Sequence, residues 1–326
     1  MKKEHIESQN ANSNIESPKP PPPIGGLGGY YNENTIIYFN GQFVKAAEAK
    51  IDLYSQSLHY GYAVFEGIRS YKTASGKTKI FKEVEHFERL QHSAEAVNMP
   101  YAWTTEELIA ATYEVLAKNN LQDAYIRPIV YAPANMGFIV NKESFIAIQA
   151  WEMQPFLGEN LIKVMSSSFQ RPNPKGFKIT AKVSGHYVNS ILASQEAKTK
   201  GFDEALLTDM NGFVAEGPGA NVFYEKDGKL FTPSVGNILP GITRATVLEI
   251  CQELEIAVEE KTITMEELKN ADAAFFCGTA AEVIGWEKLD DTVFPKNWND
   301  TVSKTIQDAY KNKVIEKKLQ VEEVVA

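Results

Sequence analysis

Residues 178–221 read KITAKVSGHYVNSILASQEAKTKGFDEALLTDMNGFVAEGPGAN, and the chemistry of the chain concentrates there. Lys182 sits among Thr180, Ala181, Val183, Ser184 and Gly185, and Tyr187 opens a helical segment that runs to about Lys200. A strand pattern over 204–209 and an Asn211-Gly212 turn come next. Glu216 follows, framed by Gly217, Pro218 and Gly219. Small neighbours let a ligand approach a lysine closely, and a desolvated lysine can lose its proton and attack a carbonyl carbon. A carboxylate on a glycine-rich turn can accept a hydrogen bond from a heterocyclic N–H. An amine for an aldehyde and an acid for a pyridine nitrogen are the two contacts that pyridoxal phosphate needs. A solvated surface lysine is the commoner use of the residue, and spacing leaves that alternative open.

The 326 residues can bury a large core and suit two domains. Hydrophobic residues make up 44% and charged residues 23%, an ordinary globular balance, so disorder and repeat classes drop out. A net charge of −9 argues against a nucleic-acid surface and suits a soluble cytoplasmic enzyme. No apolar run reaches 18 residues, and the opening MKKEHIESQNANSN has no apolar segment, so neither a membrane span nor a secretion signal is expected. Cys251 and Cys277 are far apart and read as buried thiols. His59, His86, His92 and His186 lack metal-site spacing, so no metal is expected. Only five of the 33 basic residues are arginines: Arg69, Arg89, Arg127, Arg171 and Arg244. Each is therefore a candidate for bidentate work that lysine does poorly, with a purely structural use as the alternative.

Residues 1–30 are polar and then PKPPPPIGGLGG, which reads as a flexible arm outside the fold. Residues 35–44 form a hairpin about Asn40-Gly41. Strands are expected at 63–71 and 77–81, then amphipathic helices at 83–97 and 105–119, the second opened by a Thr104/Glu107 capping box. Apolar strands at 124–131 and 144–151 complete a small domain over 31–151, and 152–160 reads as a linker. The larger domain, 161–326, alternates strands at 162–166, 204–209, 221–225, 230–232 and 272–277 with helices at 187–200 and 242–254. A short helix capped by Thr264 and Glu267 lies between them.

Helix N-termini present unpaired N–H groups, so the Gly241-Ile242-Thr243 and Gly278-Thr279-Ala280 turns are candidate phosphate sites, with Arg89 as a third contributor. The alternatives are plain helix starts and a solvated helix charge. No P-loop or properly placed dinucleotide fingerprint is present, which argues against a nucleotide enzyme, and no GxSxG elbow is present either.

Seven segments carry a resemblance: SLHYGYAVFEGIRSY (57–71), EHFERLQHSA (85–94), AYIRP (124–128), AKVSGHY (181–187), AEGPGAN (215–221), LPGITR (239–244) and GTAAEV (278–283). In that order the chain resembles the branched-chain amino-acid aminotransferases, class IV pyridoxal-phosphate enzymes, from about Ile36 onward. The resemblance implies a mixed α+β, two-domain fold of type IV, with a small α/β domain and a larger barrel-like domain carrying helices. By the same resemblance Lys182 is the Schiff-base lysine, Glu216 the partner of the pyridine nitrogen, and Tyr187 the partner of the cofactor's phenolic oxygen. Arg89, Ile242, Thr243 and Thr279 form the phosphate cradle. Tyr125, Thr279 and Ala280 meet the substrate α-carboxylate, and Tyr60, Phe65 and Met136 wall the side-chain pocket. Arg127 receives the γ-carboxylate of glutamate.

The reaction so implied moves an amino group between L-leucine, isoleucine or valine and 2-oxoglutarate, in a homodimer whose subunits share sites. Other members of the fold are the alternatives: D-amino-acid or (R)-amine transaminases, and the lyase that releases 4-aminobenzoate. A binding protein that kept the fold is a third, opposed by an intact Lys182–Glu216 pair. The sequence departs from the family pattern at Ser184, His186 and Phe156. Loss of a tyrosine hydroxyl at Phe156 bears on how glutamate is held.

Overall fold

The computed structural model describes residues 30–153, 157–158 and 160–317. Of the expected arm only Tyr30 falls among them; Phe156 and most of the expected arm lie outside the described residues.

Among the described residues, seven antiparallel strands form the first sheet: β1 (Ile36–Phe39), β2 (Gln42–Lys45), β3 (Ala63–Phe65), β4 (Ile68–Lys72), β5 (Thr78–Ile80), β6 (Ala124–Tyr131) and β7 (Phe145–Glu152). Their order is β2-β1-β7-β6-β4-β5, with β3 also on β6. Asn40 and Gly41 both take positive φ (50° and 89°), as a two-residue turn between right-twisted strands requires. The strand expected at 63–71 is interrupted at Glu66-Gly67. Phe65 pairs with Ile129 and Ile68 with Ile126, so Glu66 falls opposite Pro128. The Glu66 amide donates to the Pro128 carbonyl at 2.9 Å, but proline returns no N–H and the ladder lapses.

Helices α1 (Gln56–Tyr60), α2 (Glu83–Ala96) and α3 (Thr105–Lys118) accompany this sheet, and α3 opens on the expected capping box. Phe87 and Leu90 of α2, and Leu108 and Val115 of α3, bury fully against Val64, Ile126 and Ile148. Each such side chain contributes roughly 1.5–3 kcal/mol of transfer free energy.

Among the described residues the second sheet has nine strands: β8 (Ile162–Gln170), β9 (Glu204–Thr208), β10 (Val214–Glu216), β11 (Asn221–Lys226), β12 (Lys229–Pro233), β13 (Val258–Lys261), β14 (Ala273–Gly278), β15 (Glu282–Leu289) and β16 (Thr292–Val293). Along β10-β9-β8-β15-β14-β11 each strand bonds to the next, and β10 bonds back to β11. The ring closes through one register pair, Glu216 opposite Asn221. This is the barrel-like sheet of the expected mixed α+β fold.

Around it lie α4 (Tyr187–Thr199), α5 (Ile242–Glu253), α6 (Met265–Lys269) and α7 (Val302–Val314). Ile306 and Tyr310 of α7 pack with Val247 and Ile250 of α5 and with Phe223, Phe275 and Val283 of the sheet. Elements α1, β10, β13, β15, β16 and α7 go beyond those expected from the sequence pattern. Strand β10 has three residues and β13 reads VEEK, an edge strand whose charges erase the alternation.

Candidate active site

The Lys182 loop is fixed by its neighbours. Ala181 and Val183 are buried in the core of the first sheet, while Lys182 between them is only half-buried. Its backbone is tied on both sides: the Phe65 amide donates to the Lys182 carbonyl (3.1 Å), and the Lys182 amide donates to Ser93 Oγ (3.0 Å). Below it Gly61 and Gly185 touch backbone to backbone. A Cβ on Gly61 would sit 2.6 Å from Gly185 Cα, and Gly61 is left-handed (φ 65°). Glycine is the residue this crossing accepts.

Lys182 Nζ donates to the Tyr187 hydroxyl at 2.6 Å and lies 5.0 Å from the centroids of both the Tyr187 and Phe65 rings. Phe65 is the hub of the cluster. It meets Tyr187 edge-on at 4.8 Å, and the Arg127 guanidinium stacks over it at 4.5 Å. Arg127 Nη2 donates to the Tyr125 hydroxyl at 2.9 Å. That hydroxyl lies over Gly67, whose Cβ would stand 2.0 Å from it.

Glu216 sits at the barrel seam, 4% exposed. Oε1 accepts from the Leu239 amide (3.1 Å) and Oε2 from Asn221 Nδ2 (3.0 Å). Arg171 places Nε 2.9 Å from Oε1, but that N–H is not aimed at the oxygen, so the two are held by charge. Burial raises the Glu216 carboxyl above its usual range, and the Arg171 charge offsets part of the rise. Gly241 is shaped by the same cluster: a Cβ there would meet Asn221 Oδ1 at 2.0 Å.

Gly241 is the N-cap of α5 and no side chain caps that end, so the first amides of the helix, at Ile242 and Thr243, are presented at the N-terminus. Arg89 reaches the same place, Nη1 donating to the Pro240 carbonyl at 3.0 Å. The half-buried Gly278–Ala280 turn packs on the glycine-rich turn after Glu216, where a Cβ on Gly278 would lie 3.0 Å from the Gly219 carbonyl. Lys182, Tyr187, Phe65, Tyr125 and Arg127 thus form one cluster. Glu216 lies within electrostatic reach of Lys182, and Arg89 of Tyr187 and Tyr125, so Glu216 and the start of α5 border this cluster, with Gly278 packed on the turn after Glu216. Tyr60 and Met136 are apart: Tyr60 donates to the Met136 carbonyl (3.3 Å) within an exposed lobe that includes Phe138, 90% exposed.

The model for the class IV aminotransferases matches residues 63–288. The branched-chain-amino-acid aminotransferase of Pseudomonas aeruginosa is 40% identical over 281 residues, 84% of this chain and 91% of that protein.

The chain belongs to the class IV aminotransferase family.

Among solved structures, the branched-chain aminotransferase of Thermoproteus uzoniensis with norvaline aligns with a TM-score of 0.84 at 36% identity, covering 87% of this chain and 96% of that one. The branched-chain amino acid aminotransferase of Thermobaculum terrenum, in its PLP-bound holo form, aligns at 0.82 and 32%, covering 88% and 96%.

Class IV aminotransferases use pyridoxal phosphate, and the donor set here suits it. An amine stands beside a phenol, a buried carboxylate keeps unused lone pairs, and an uncapped helix start meets an arginine. Gly241 and Gly278 let the turns at this place pack closely, since a Cβ on either would clash with Asn221 or with the Gly219 carbonyl.

Sequence reasoning leaves Arg171 a candidate for bidentate work without naming its partner, and assigns Glu66 no role. For Arg171 the rarity of arginine is a signal; for Glu66, a lone carboxylate in the apolar run AVFEGI is another. Asn221, which bridges Glu216 to the Leu239 carbonyl, carries none. Of the departures, His186 stacks edge-on to Phe177 at 5.3 Å, and burial together with the Arg171 charge lowers its pKa. Ser184 opens the 3-10 turn before α4.

Proposed function

We propose that this chain transfers an amino group between L-leucine, isoleucine or valine and 2-oxoglutarate, using pyridoxal phosphate held at Lys182. The observation that carries the reading is the convergence of the Lys182 amine, the Tyr187 hydroxyl and the Arg127 guanidinium about the Phe65 ring. When bound, the cofactor supplies the aldehyde that takes up the amino group and the ring that accepts charge from Cα. Lys182 is the base that lifts the Cα proton and returns it, with Tyr187 orienting the amine. Glu216, backed by Arg171, Asn221 and the Leu239 amide, holds the pyridine nitrogen. Arg89, Ile242, Thr243 and Thr279 hold the phosphate, and Tyr125, Thr279 and Ala280 the α-carboxylate.

One pocket must accept both an aliphatic chain and a carboxylate. Among the described residues Arg69, Arg89, Arg171 and Arg244 are each paired with a glutamate, whereas Arg127 pairs with none. Its Nε is buried without a hydrogen-bond partner. Resting on Tyr125, it is the arginine available to the γ-carboxylate of glutamate, and Phe65 supplies the apolar wall.

A homodimer is the working unit of this reading. The exposed lobe of Leu53, Tyr54, Leu58, Phe138, Ile139 and Val140 carries Tyr60 and Met136, and a second copy covers it and receives them as part of its pocket. Molar mass by light scattering tests this. Residues 31–151 and 161–326 are read as the two domains, and the unpaired, buried Cys251 and Cys277 support a cytoplasmic location.

The experiment is the visible spectrum of the purified protein with L-leucine and, separately, D-alanine. A yellow protein bleached by L-leucine and restored by 2-oxoglutarate is expected. Bleaching by D-alanine alone assigns it to D-specific members of the fold.

A further inference from the structure

Glu66 is a carboxylate with no exposed surface, placed where the first sheet lapses opposite Pro128. Strand alternation turns Phe65 toward Lys182 and Arg127, and sends Glu66 to the opposite face, against α2. His86 and Arg89, three residues apart on α2, share the face that meets it. Arg89 donates to it twice, Nε to Oε1 at 2.6 Å and Nη2 to Oε2 at 2.8 Å. His86 Nδ1 lies 2.7 Å from Oε2, and the Gly67 amide donates to Oε2 at 3.2 Å.

This cluster gives little stability in return for its burial. Taking a carboxylate and a guanidinium out of water costs about as much as their attraction returns, and an apolar set of equal volume would do as well. Its effect is geometric. A guanidinium has five N–H groups; Glu66 takes two and the Pro240 carbonyl a third, which locks its plane and leaves one N–H on each Nη. The Pro240 carbonyl that Arg89 meets immediately precedes Gly241, the N-cap of α5, where no side chain caps the helix amides.

We infer that Glu66 is the positioning residue for the phosphate end of the site, fixing Arg89 so that phosphate recognition depends on a carboxylate that never touches the ligand. The inference rests on the reading that Arg89 meets the phosphate. Pyridoxamine phosphate and pyridoxamine isolate it, because they differ only in the phosphate and form no bond to Lys182.

Each is titrated into the full-length chain freed of cofactor, with binding followed by tryptophan fluorescence. Glu66→Gln keeps the volume but presents an N–H to an arginine that can only donate. Pyridoxamine phosphate should then bind about 10–100-fold more weakly, the loss of one or more hydrogen bonds to a charged group, while pyridoxamine shifts less than about twofold. In an Arg89→Met background Glu66→Gln should add nothing to this discrimination. A Glu66→Gln protein with the wild-type ratio of the two affinities, or effects that add to those of Arg89→Met, overturns the inference. Should Glu66→Gln not fold, Glu66→Asp keeps the charge, shortens the reach and gives the same readout. Failure of the underlying reading looks different: the wild-type chain itself would not distinguish the two ligands, and both proposals fall.

Discussion

Arg171, just beyond the end of β8, sets its Nε 2.9 Å from Oε1 of Glu216, and both side chains are almost wholly enclosed. On the reading that Glu216 meets the pyridine nitrogen, a buried carboxylate that must stay ionised needs such a cation. Burial raises the Glu216 pKa and Arg171 is the largest opposing influence. Arg171→Met should therefore move the acid limb of the L-leucine half-reaction upward by roughly 1–3 pH units. Rapid-mixing rates from pH 5 to 9 check this, with Arg171→Lys expected to restore part of the shift. A limb that stays in place refutes the role.

On the proposed reading Lys182 moves the Cα proton, and Lys182→Ala removes that group. Transamination should fall by at least about 10³-fold, within the range acid–base catalysis supplies. The far-ultraviolet spectrum should be unchanged, because Ala181 and Val183, not the lysine, pack the core. Activity near wild type would mean another base.

Arg127→Met should lower kcat/KM for glutamate and 2-oxoglutarate by about 10–100-fold, the loss of a hydrogen bond to a charged group. Leucine should change by less than about threefold. Equal losses for both substrates would show that Arg127 shapes the pocket through its stacking on Phe65 instead of reading a charge.

Acid should destabilise the cofactor-free protein through His86 and Glu66. Burial lowers the His86 pKa below its ordinary value near 6.5, despite the neighbouring Glu66. The unfolded chain therefore takes up a proton that the folded chain refuses. That contribution to stability is whole above about pH 6.5 and is lost as the pH falls. Burial pushes Glu66 the other way, but the charges and hydrogen bonds of Arg89 and His86 hold its carboxyl well below the usual range. Its contribution is present above about pH 4.3 and is lost below it. The urea midpoint should fall between pH 7 and 5.5, and fall less in His86→Gln. Parallel curves for the two proteins would contradict this.

Much of the site was legible because its pieces are local. The Lys182 loop, the turn after Glu216 and the start of α5 each announce themselves by small residues and helix-start chemistry. Their union was legible only through the family resemblance, since contacts such as Arg89 to Pro240 span 151 positions. Barrel closure was hidden for another reason: β10 is too short to show a period, and the strand expected at 221–225 does not by itself say what it pairs with. Glu66 reads as an anomaly in an apolar strand, and only the fold shows that α2 brings Arg89 and His86 to it.

The single register pair that shuts the barrel, Glu216 opposite Asn221, is also the pair that holds the carboxylate in place. On the proposed reading of Glu216, wall and ligand partner are thus one object. A cofactor seated on Glu216 should then act as a rivet through the seam, and its removal should free the staves on either side together. Amide hydrogens flanking that seam should report occupancy of the site before any catalytic assay does.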